Sequence, residues 1–351
     1  MLTHITPHLL HFRQPAGTSR GVYTTRRVWF VTLAFPGTDR IGIGECAPLP
    51  ALSCDDVPDY ADRLAEACAE AARNLQVPYD RFRDFPSILF GLEMAFARLF
   101  SDSWTLFPSP FTEGSKEIHI NGLVWMGNFE EMKQRIDEKL NAGFGCIKLK
   151  IGAIDFEEEL ELLRLIRKRY APRDLELRVD ANGAFSPAEA LARLEQLAPF
   201  ALHSIEQPIQ AGQWEQMRKL TLASPVPIAL DEELIGINTP EKKSELMETI
   251  QPHYLVLKPS LHGGMKGTDE WLDLCRRHGK EAWFTSALES NIGLNAIAQW
   301  CATRAPFAHC DVQGLGTGHL YTNNIAFPYL HLEGDRLQFK RDVAEEIKLP
   351  D

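Results

Sequence analysis

The feature of this sequence that most constrains its fold is a series of short apolar segments that each end in a charged residue. The segments lie between residues 146 and 260. They follow one another about 25 to 30 residues apart, which is close to the length of a βαβ unit. This constant spacing predicts parallel strands with one charged group at the same end of each, and barrel active sites form at the carboxyl-terminal ends of such strands. The charged residues are Lys150, Asp180, Glu206, Asp231 and Lys258.

Three of these strand ends carry carboxylates, namely Asp180, Glu206 and Asp231. Together they would repel one another, and each would be costly to bury alone. A hard divalent cation removes this conflict, and Mg²⁺ prefers oxygen ligands while leaving positions open for water or substrate. The alternative is that each acid pairs with an Arg or Lys in a structural network, but three acids at equal spacing favour the cation. Zn²⁺ is disfavoured because no His or Cys belongs to the series.

The lysines of the series are candidates for proton transfer. Lys148 and Lys150 lie two residues apart, so both are predicted to point to one side of their strand. Adjacent ammonium groups and a nearby metal ion lower the pKa of a lysine, which can then act as a general base near pH 7. The alternative is a solvated lysine pair on an edge strand. If the barrel closes, Lys258 lies across it and can handle a second proton or stabilise negative charge.

Polar neighbours of the carboxylates are candidates for supporting roles. Arg178 and Asn182 flank Asp180 at two-residue spacing and should face the same way, where they would orient ligands or contact substrate. Glu232 is expected to pair with a lysine such as Lys258. Glycine-rich loops at 262–267 and 314–318 could cradle a phosphate, although loops after strands need no such role.

Composition excludes several classes of partner. The net charge is −11 and no block of Lys or Arg occurs, which argues against nucleic acid and anionic membranes. No run of about 18 apolar residues predicts a membrane span, and residues 1–7 lack the features of a secretory signal. The seven cysteines are odd in number and include no CxxC pair, so we expect reduced thiols and a cytoplasmic location.

The chain divides into an N-terminal unit and an alternating region. Strand patterns at 28–34 and 40–45 precede helical patterns at 55–75 and 87–100, so residues 1–115 are predicted to form an α+β unit. Residues 116–324 alternate strand and helix patterns and are predicted to form a barrel. Residues 325–351 return to short strands, which we expect to pack back on the N-terminal unit.

Local signals mark elements within the barrel region. Its first strand is predicted at 118–125, and its last two at 281–289 and 309–313. Residues 186–189 have the pattern of a capping box with proline at the first helical position, and Thr239 with Pro240 gives a second helix start.

Two lysines facing each other across a carboxylate-bound Mg²⁺ define a class of reaction. The metal binds a substrate carboxylate, and a lysine removes the proton on the carbon α to it. The metal and the opposite ammonium stabilise the enediolate, and elimination or reprotonation follows. The expected partner is a small carboxylate substrate, and a homo-oligomer is compatible with the sequence. The alternative of a non-catalytic barrel that binds a carboxylate ligand would not need both lysines.

The ordered motifs resemble the muconate-lactonizing subgroup of the enolase superfamily. The segments at 42–50, 120–125, 257–261 and 286–293 are most similar to the o-succinylbenzoate synthase family within it. The resemblance implies an α/β fold: a modified (β/α)7β TIM-like barrel with an α+β capping domain completed by the C-terminal segment. It also implies a Mg²⁺-dependent lyase of menaquinone biosynthesis, which dehydrates 2-succinyl-6-hydroxy-2,4-cyclohexadiene-1-carboxylate. The motifs are Lys148-x-Lys150, Asp180-Ala-Asn182, Glu206-Gln-Pro208, Asp231-Glu232 and Lys258-Pro-Ser260.

The resemblance also implies roles for individual residues. Asp180, Glu206 and Asp231 would hold one Mg²⁺. Lys150 would take the α proton and return it to the departing hydroxyl, and Lys258 would stabilise the enediolate. The residues implied to assist catalysis or to contact substrate are Lys148, Arg178, Asn182, Glu232, Ser260, Ser286, Glu289 and, in a capping loop, Ser19 and Arg20.

Racemases of N-acylamino acids and dipeptide epimerases remain the alternatives, because they share the same lysines and ligands. Dipeptide epimerases of this type usually carry Asp-x-Asp after strand seven or eight. The segment 286–291 contains Glu289 but no such pair, which disfavours the epimerase.

Overall fold

The N-terminal part of the chain is an antiparallel sheet backed by two helices. The computed structural model describes residues 1–18, 21–101, 103–308, 310–341, 343 and 347–349. In the second strand, Val28 and Phe30 are buried on one face, and Val31 and Leu33 are buried on the other. Both faces of the sheet are therefore covered by apolar clusters. The elements, with the strands in sheet order, are β1 (Leu2–Thr18), β2 (Gly21–Ala34), β3 (Ile41–Cys46), α1 (Tyr60–Asn74) and α2 (Pro86–Leu99).

The alternating region forms a parallel sheet that curls into a barrel. The predicted first strand is divided into β4 and β5, and the predicted eighth strand is reduced to the short β12. The sheet runs in the order β11-β10-β9-β8-β7-β6-β5. A bridge between Thr285 and Gly314 and the pairing of β12 with β4 close the circle. The strands are β4 (Ile118–Ile120), β5 (Gly122–Val124), β6 (Cys146–Lys150), β7 (Glu176–Asp180), β8 (Ser204–Glu206), β9 (Ile228–Leu230), β10 (Tyr254–Leu257), β11 (Glu281–Phe284) and β12 (Val312–Gln313).

Helices follow the strands and cover the outside of the barrel. Their apolar sides pack on strand residues that are buried on both faces, as parallel strands require. Among the described residues, no helix is long and apolar enough to cross a membrane. The helices are α3 (Phe129–Asn141), α4 (Phe156–Arg169), α5 (Ala190–Leu197), α6 (Trp214–Ala223), α7 (Pro240–Ile250), α8 (Gly264–His278) and α9 (Asn291–Ala308).

One predicted helix start is correct and the other is displaced. Thr239 caps α7 through its side chain, and Pro240 is the first helical residue, as predicted. The main-chain N–H of Ser186 donates to the Glu189 carboxylate over 3.0 Å, but the helix begins only at Ala190. Half of the capping-box pattern therefore forms within a turn before the helix.

The C-terminal segment differs in part from the expectation that it packs on the N-terminal unit. Its hairpin, β13 (Leu330–Glu333) and β14 (Arg336–Phe339), pairs with β4 of the barrel. Ile325, Phe327 and Ile347 do pack against the N-terminal sheet, in a cluster with Leu10 and Phe30. The segment therefore contacts both units. His309, in the predicted eighth strand, lies outside the described residues.

A buried carboxylate holds the start of α2. The Asp55 Oδ2 atom accepts hydrogen bonds from Ser87 N at 2.9 Å and Ser87 Oγ at 2.6 Å. Its Oδ1 atom has no hydrogen-bond partner among the described residues. Burial raises the pKa of Asp55 to about 7, and the nearby Cys54, Asp56 and Tyr60 supply no positive charge against it.

The free energy of unfolding is therefore expected to depend on Asp55 between pH 4 and 8. Because its folded-state pKa is raised, the carboxyl stabilises the fold when protonated, and this contribution is lost as the pH rises towards 7. Relative to an Asp55→Asn variant, the wild type should lose up to about 4 kcal/mol across this range. Urea unfolding at several pH values measures the difference, and a difference that stays constant with pH would contradict the assignment.

Candidate active site

The charged strand ends converge as the spacing predicts. Lys150 is in register with Asp180 on the adjacent strand, and Asp180 is in register with Glu206 on the next. The Lys150 Nζ atom lies 2.5 Å from Asp180 Oδ2, and Lys258 Nζ lies 2.5 Å from Asp231 Oδ2. Parallel pairing of equivalent strand ends thus brings residues that are 27 and 30 positions apart in sequence within hydrogen-bonding distance.

Lys148 joins this cluster from one layer deeper in the barrel. It is in register with Arg178, two residues before Asp180. Its long side chain nevertheless reaches the strand ends, where Nζ lies 2.5 Å from Glu206 Oε2 and 3.1 Å from Asp180 Oδ2. Lys148 is therefore shared between two of the carboxylates.

Burial and mutual repulsion give the three carboxylates different pKa values. Burial acts to raise the pKa of Asp180, but the charges of Lys148 and Lys150 outweigh it and hold the pKa below its usual range. Burial also opposes ionisation of Asp231, and Lys258 lowers its pKa. The pKa of Glu206 is raised well above its usual value by burial and by the negative charge of Asp180.

The pKa of Lys148 shifts in the direction opposite to the sequence-based expectation. Burial acts to lower the pKa of Lys148, but Asp180 and Glu206 outweigh it, and the pKa is raised. The pKa of Lys258 is raised in the same way, with Asp231 as the main opposing charge. The ammonium groups of Lys148 and Lys258 are counter-charges of the carboxylates, which favour the protonated form of these two lysines.

The donor set fits a hard divalent cation. All three carboxylates are buried, and they provide only oxygen atoms. The Asp231 Oδ1 and Glu232 Oε2 atoms have no hydrogen-bond partners among the described residues. Within those same ranges, no three Asp, Glu, His or Cys side chains stand in a ready metal-binding arrangement. Burial and the negative charge of Asp180 raise the pKa of Glu206, and a bound cation would favour its ionised form.

A cavity of about 400 Å³ opens over the cluster. Its polar floor includes Lys148, Lys150 and Lys258, and its apolar walls come from both units of the chain. Leu49 and Leu52 of the N-terminal unit face Trp125 and Leu288 of the barrel. Since ligand sites combine apolar walls with a few polar groups, this cavity is the candidate active site.

Asn182 and Glu232 adjoin the cluster and contact each other. The Asn182 side chain donates to Glu232 Oε1 over 2.9 Å and accepts from Lys150 Nζ over 2.8 Å. Both residues line the cavity. Glu232 was expected to pair with Lys258, but its hydrogen bond is to Asn182. The positive charge of Lys258 still acts on the Glu232 carboxylate.

Ser286 and Glu289 lie in the loop after β11, and Ser260 lies behind it. The Glu289 carboxylate accepts hydrogen bonds from Ser260 Oγ and, over 2.6 Å, from Ser286 Oγ. Ser286 lines the cavity, whereas Glu289 and Ser260 are fully buried. The latter two are placed to support the loop that carries Ser286.

Arg178 is not placed among the residues that line the cavity. It is buried in the barrel interior, where Nε donates to Glu176 over 2.7 Å and the guanidinium lies over the Trp283 ring. Two residues along a strand correspond to about 6.6 Å, so a residue that faces the same way as Asp180 can lie one layer below it. Ser19 and Arg20 lie outside the described residues.

The two glycine-rich loops have different surroundings. At the start of α8, the Glu93 carboxylate of α2 accepts hydrogen bonds from the main-chain N–H groups of Met265 and Lys266, so a side chain occupies the position where a phosphate would bind. In the second loop, Gly314, Gly316 and Thr317 line the cavity.

Several residues at the cavity were not identified from the sequence. Gln14, Tyr23 and His319 line its mouth, and Arg26 and Glu45 hold its wall from behind. They belong to segments that are distant in sequence from the charged strand ends, and only their tertiary positions bring them there. The spacing argument applies to barrel strands and has no equivalent for these residues.

Comparison with known proteins gives consistent likenesses. The family model described as Enolase C-terminal domain-like matches residues 131–328. The chain is 46% identical to the o-succinylbenzoate synthase of Desulfotalea psychrophila, over 90% of this chain and 93% of that protein. The crystal structure of MenC from that organism has a TM-score of 0.82 at 41% identity, covering 96% of this chain and 99% of that chain.

A second solved structure is similar in fold alone. The substrate-liganded complex of the L-Ala-D/L-Glu epimerase from Bacillus subtilis has a TM-score of 0.80 at 20% identity. The match covers 97% of this chain and 96% of that chain. The N-terminal unit and the barrel are therefore both part of the shared architecture.

Proposed function

The chain belongs to the enolase superfamily and, within it, to the o-succinylbenzoate synthase family, and we propose how its residues carry out that reaction. It dehydrates 2-succinyl-6-hydroxy-2,4-cyclohexadiene-1-carboxylate to o-succinylbenzoate. One C–H bond and one C–O bond break, water leaves, and the ring becomes aromatic. The observation that carries the assignment of residues is the position of Lys150 and Lys258 on the strands that flank the three carboxylate-bearing strands.

Enzymes of the superfamily use Mg²⁺, and here Asp180, Glu206 and Asp231 would hold it. A cation held there would supply a ligand position for the substrate carboxylate and would stabilise the negative charge that develops on that carboxylate. The support for this ligand set is its chemistry: three buried acids on consecutive strands, with an unpaired oxygen on Asp231. Lys148 pairs with Asp180 and Glu206 of this ligand set, and its positive charge offsets part of their negative charge.

Lys150 removes the proton on the carbon α to the carboxylate. Asp180 and Asn182 hold its Nζ atom at the edge of the three-carboxylate cluster. The amine is therefore positioned next to the place where the substrate carboxylate is proposed to bind. The same amine then protonates the departing hydroxyl on the same face of the ring, which makes the elimination syn. Lys258 stays protonated on the other side and stabilises the negative charge between the two steps.

The cavity suits a ring with apolar faces and carboxylate substituents. Leu49, Leu52 and Trp125 provide apolar surface for the cyclohexadiene, and the lysines lie at the carboxylate end. A volume of about 400 Å³ lies in the range of small-molecule sites.

The experiment that tests this function compares two reactions in one preparation. The cyclohexadiene carboxylate is mixed with protein and Mg²⁺, and aromatic absorbance is followed. In parallel, dipeptides and N-acyl amino acids are incubated in deuterated water, and α-proton exchange is followed by NMR. We expect rapid aromatisation that EDTA stops and added Mg²⁺ restores. Exchange of a dipeptide or N-acyl amino acid at a higher kcat/KM than aromatisation would instead assign an epimerase or racemase.

A further inference from the structure

The loop of residues 287–290 supplies part of one wall of the cavity, and side chains from several parts of the chain hold it. Ala287 and Leu288 line the cavity directly. Their carbonyl oxygens point to side chains outside the loop: Arg26 donates to Ala287 O, and the Tyr321 hydroxyl donates to Leu288 O over 2.5 Å. The Glu289 carboxylate accepts from Ser260 and Ser286, and Ser290 donates to Glu45.

Two of these contacts come from the N-terminal unit. Arg26 lies on β2 and bridges the carbonyl oxygens of Ala287 and Ala47. Glu45 lies on β3 and accepts hydrogen bonds from Ser290 N at 2.8 Å, Ser290 Oγ at 2.6 Å and Gly293 N at 2.8 Å. The two side chains are 1% and 0% exposed, so neither charge is solvated and both depend on these partners.

The loop backbone needs this support. Leu288 has φ of +67°, a left-handed conformation that a leucine rarely adopts. The negative charge of Glu289 acts against that of Glu45 in the same buried space, and the positive charge of Arg26 favours the Glu45 carboxylate. A strained segment with several buried charges keeps one conformation only while its surroundings fix it.

We propose that Arg26 and Glu45 are positioning residues that fix the 287–290 wall of the cavity, so that its shape depends on the docked N-terminal unit. The proposal rests on the proposed function, because the wall is expected to face the substrate. Neither residue touches the reacting atoms; both act through the loop backbone. Their loss should therefore affect substrate binding more than the chemical step.

Glu93 provides a matched control for Glu45, because it also joins the N-terminal unit to the barrel but does so away from the cavity. Glu93 on α2 also reaches from the N-terminal unit to the start of a barrel helix, α8. Like Glu45, it accepts two main-chain N–H groups and one hydroxyl, from Met265, Lys266 and Tyr79. In the described part of the chain, these three partners are not among the residues that line the cavity. Glu45→Gln and Glu93→Gln therefore each remove the charge and one acceptor oxygen from the same kind of contact at two positions.

Steady-state dehydration by the two variants and the wild type tests the proposal, with urea unfolding as the measure of stability. We expect Glu45→Gln to lower kcat/KM about tenfold, mainly through a higher KM, and Glu93→Gln to stay within about twofold at a similar loss of stability. Arg26→Met should resemble Glu45→Gln, and Arg26→Lys should recover part of the loss because its ammonium can still reach a carbonyl. Equal kinetic effects of Glu45→Gln and Glu93→Gln would overturn the proposal.

Hydrogen exchange gives a readout that does not depend on the reaction. Amides of residues 286–290 should exchange at least about tenfold faster in Glu45→Gln than in Glu93→Gln or the wild type. If Glu45→Gln does not fold, Arg26→Met takes its place in both measurements. A wild type without synthase activity would refute the proposed function alone, whereas unchanged exchange in the Glu45 and Arg26 variants would refute the positioning role alone.

Discussion

Replacing Lys150 with alanine should reduce kcat for dehydration by about 10³-fold or more while product binding changes little. The reason is that the Lys150 amine is the group assigned to take the α proton and to protonate the leaving hydroxyl, and it contributes to both steps of the elimination. Its partners Asp180 and Asn182 lie within 2.8 Å of Nζ and would remain in place to hold the site together. Stopped-flow absorbance measures kcat, and titration with o-succinylbenzoate in the presence of Mg²⁺ measures binding.

Asn182→Ala provides the control for this prediction. It removes the neighbour that orients Lys150 but keeps the amine, so we expect a loss of activity well below that of Lys150→Ala. Substantial turnover by Lys150→Ala, at one tenth of the wild-type kcat or more, would rule out Lys150 as the base.

Replacing Asp180 with asparagine should have the second large effect, at least about 100-fold weaker Mg²⁺ binding with an equal or larger loss of kcat/KM. Asp180 is fully buried, is in register with both Lys150 and Glu206, and contacts both Lys148 and Lys150. An amide keeps the volume but removes the negative charge that a hard cation requires. Calorimetric titration with Mg²⁺ measures the binding separately from activity.

Glu176→Gln is the matched control for Asp180→Asn. Glu176 lies at the other end of the same strand and pairs with Arg178. It therefore carries a carboxylate of β7 that is not part of the proposed ligand set. Equal losses of Mg²⁺ affinity in the two variants would indicate a general effect of the strand and contradict the ligand assignment.

The sequence allowed the barrel and its charged strand ends to be predicted, because parallel pairing keeps equivalent positions of adjacent strands in register. Lys150, Asp180 and Glu206 are therefore found where a constant spacing places them. The alternation of a strand gives the face of a residue but not its depth. Arg178 accordingly points inward with Asp180 but lies below the cavity, beside Trp283.

The contacts between the two units could not be predicted in this way. Arg26 and Ala287 are 261 positions apart, and neither belongs to a repeating pattern. The C-terminal hairpin was expected to pack on the N-terminal unit, but it pairs with the barrel. Short alternating strands do not specify their partner, so this pairing could not be predicted from the sequence. The first barrel strand is divided, and β5 rather than β4 pairs with β6. One edge of β4 is therefore free, and the hairpin pairs with that edge.

The central claim is that three carboxylates hold one cation and that two lysines lie on opposite sides of one substrate carbon next to it. A crystal structure of the protein with Mg²⁺ and o-succinylbenzoate tests this claim most directly. We expect the cation on Asp180, Glu206 and Asp231, the ring carboxylate of the product on the cation, and the Nζ atoms of Lys150 and Lys258 on opposite sides of the carbon that bears this carboxylate. A cation bound by other residues, or a product carboxylate placed away from both lysines, would contradict the account.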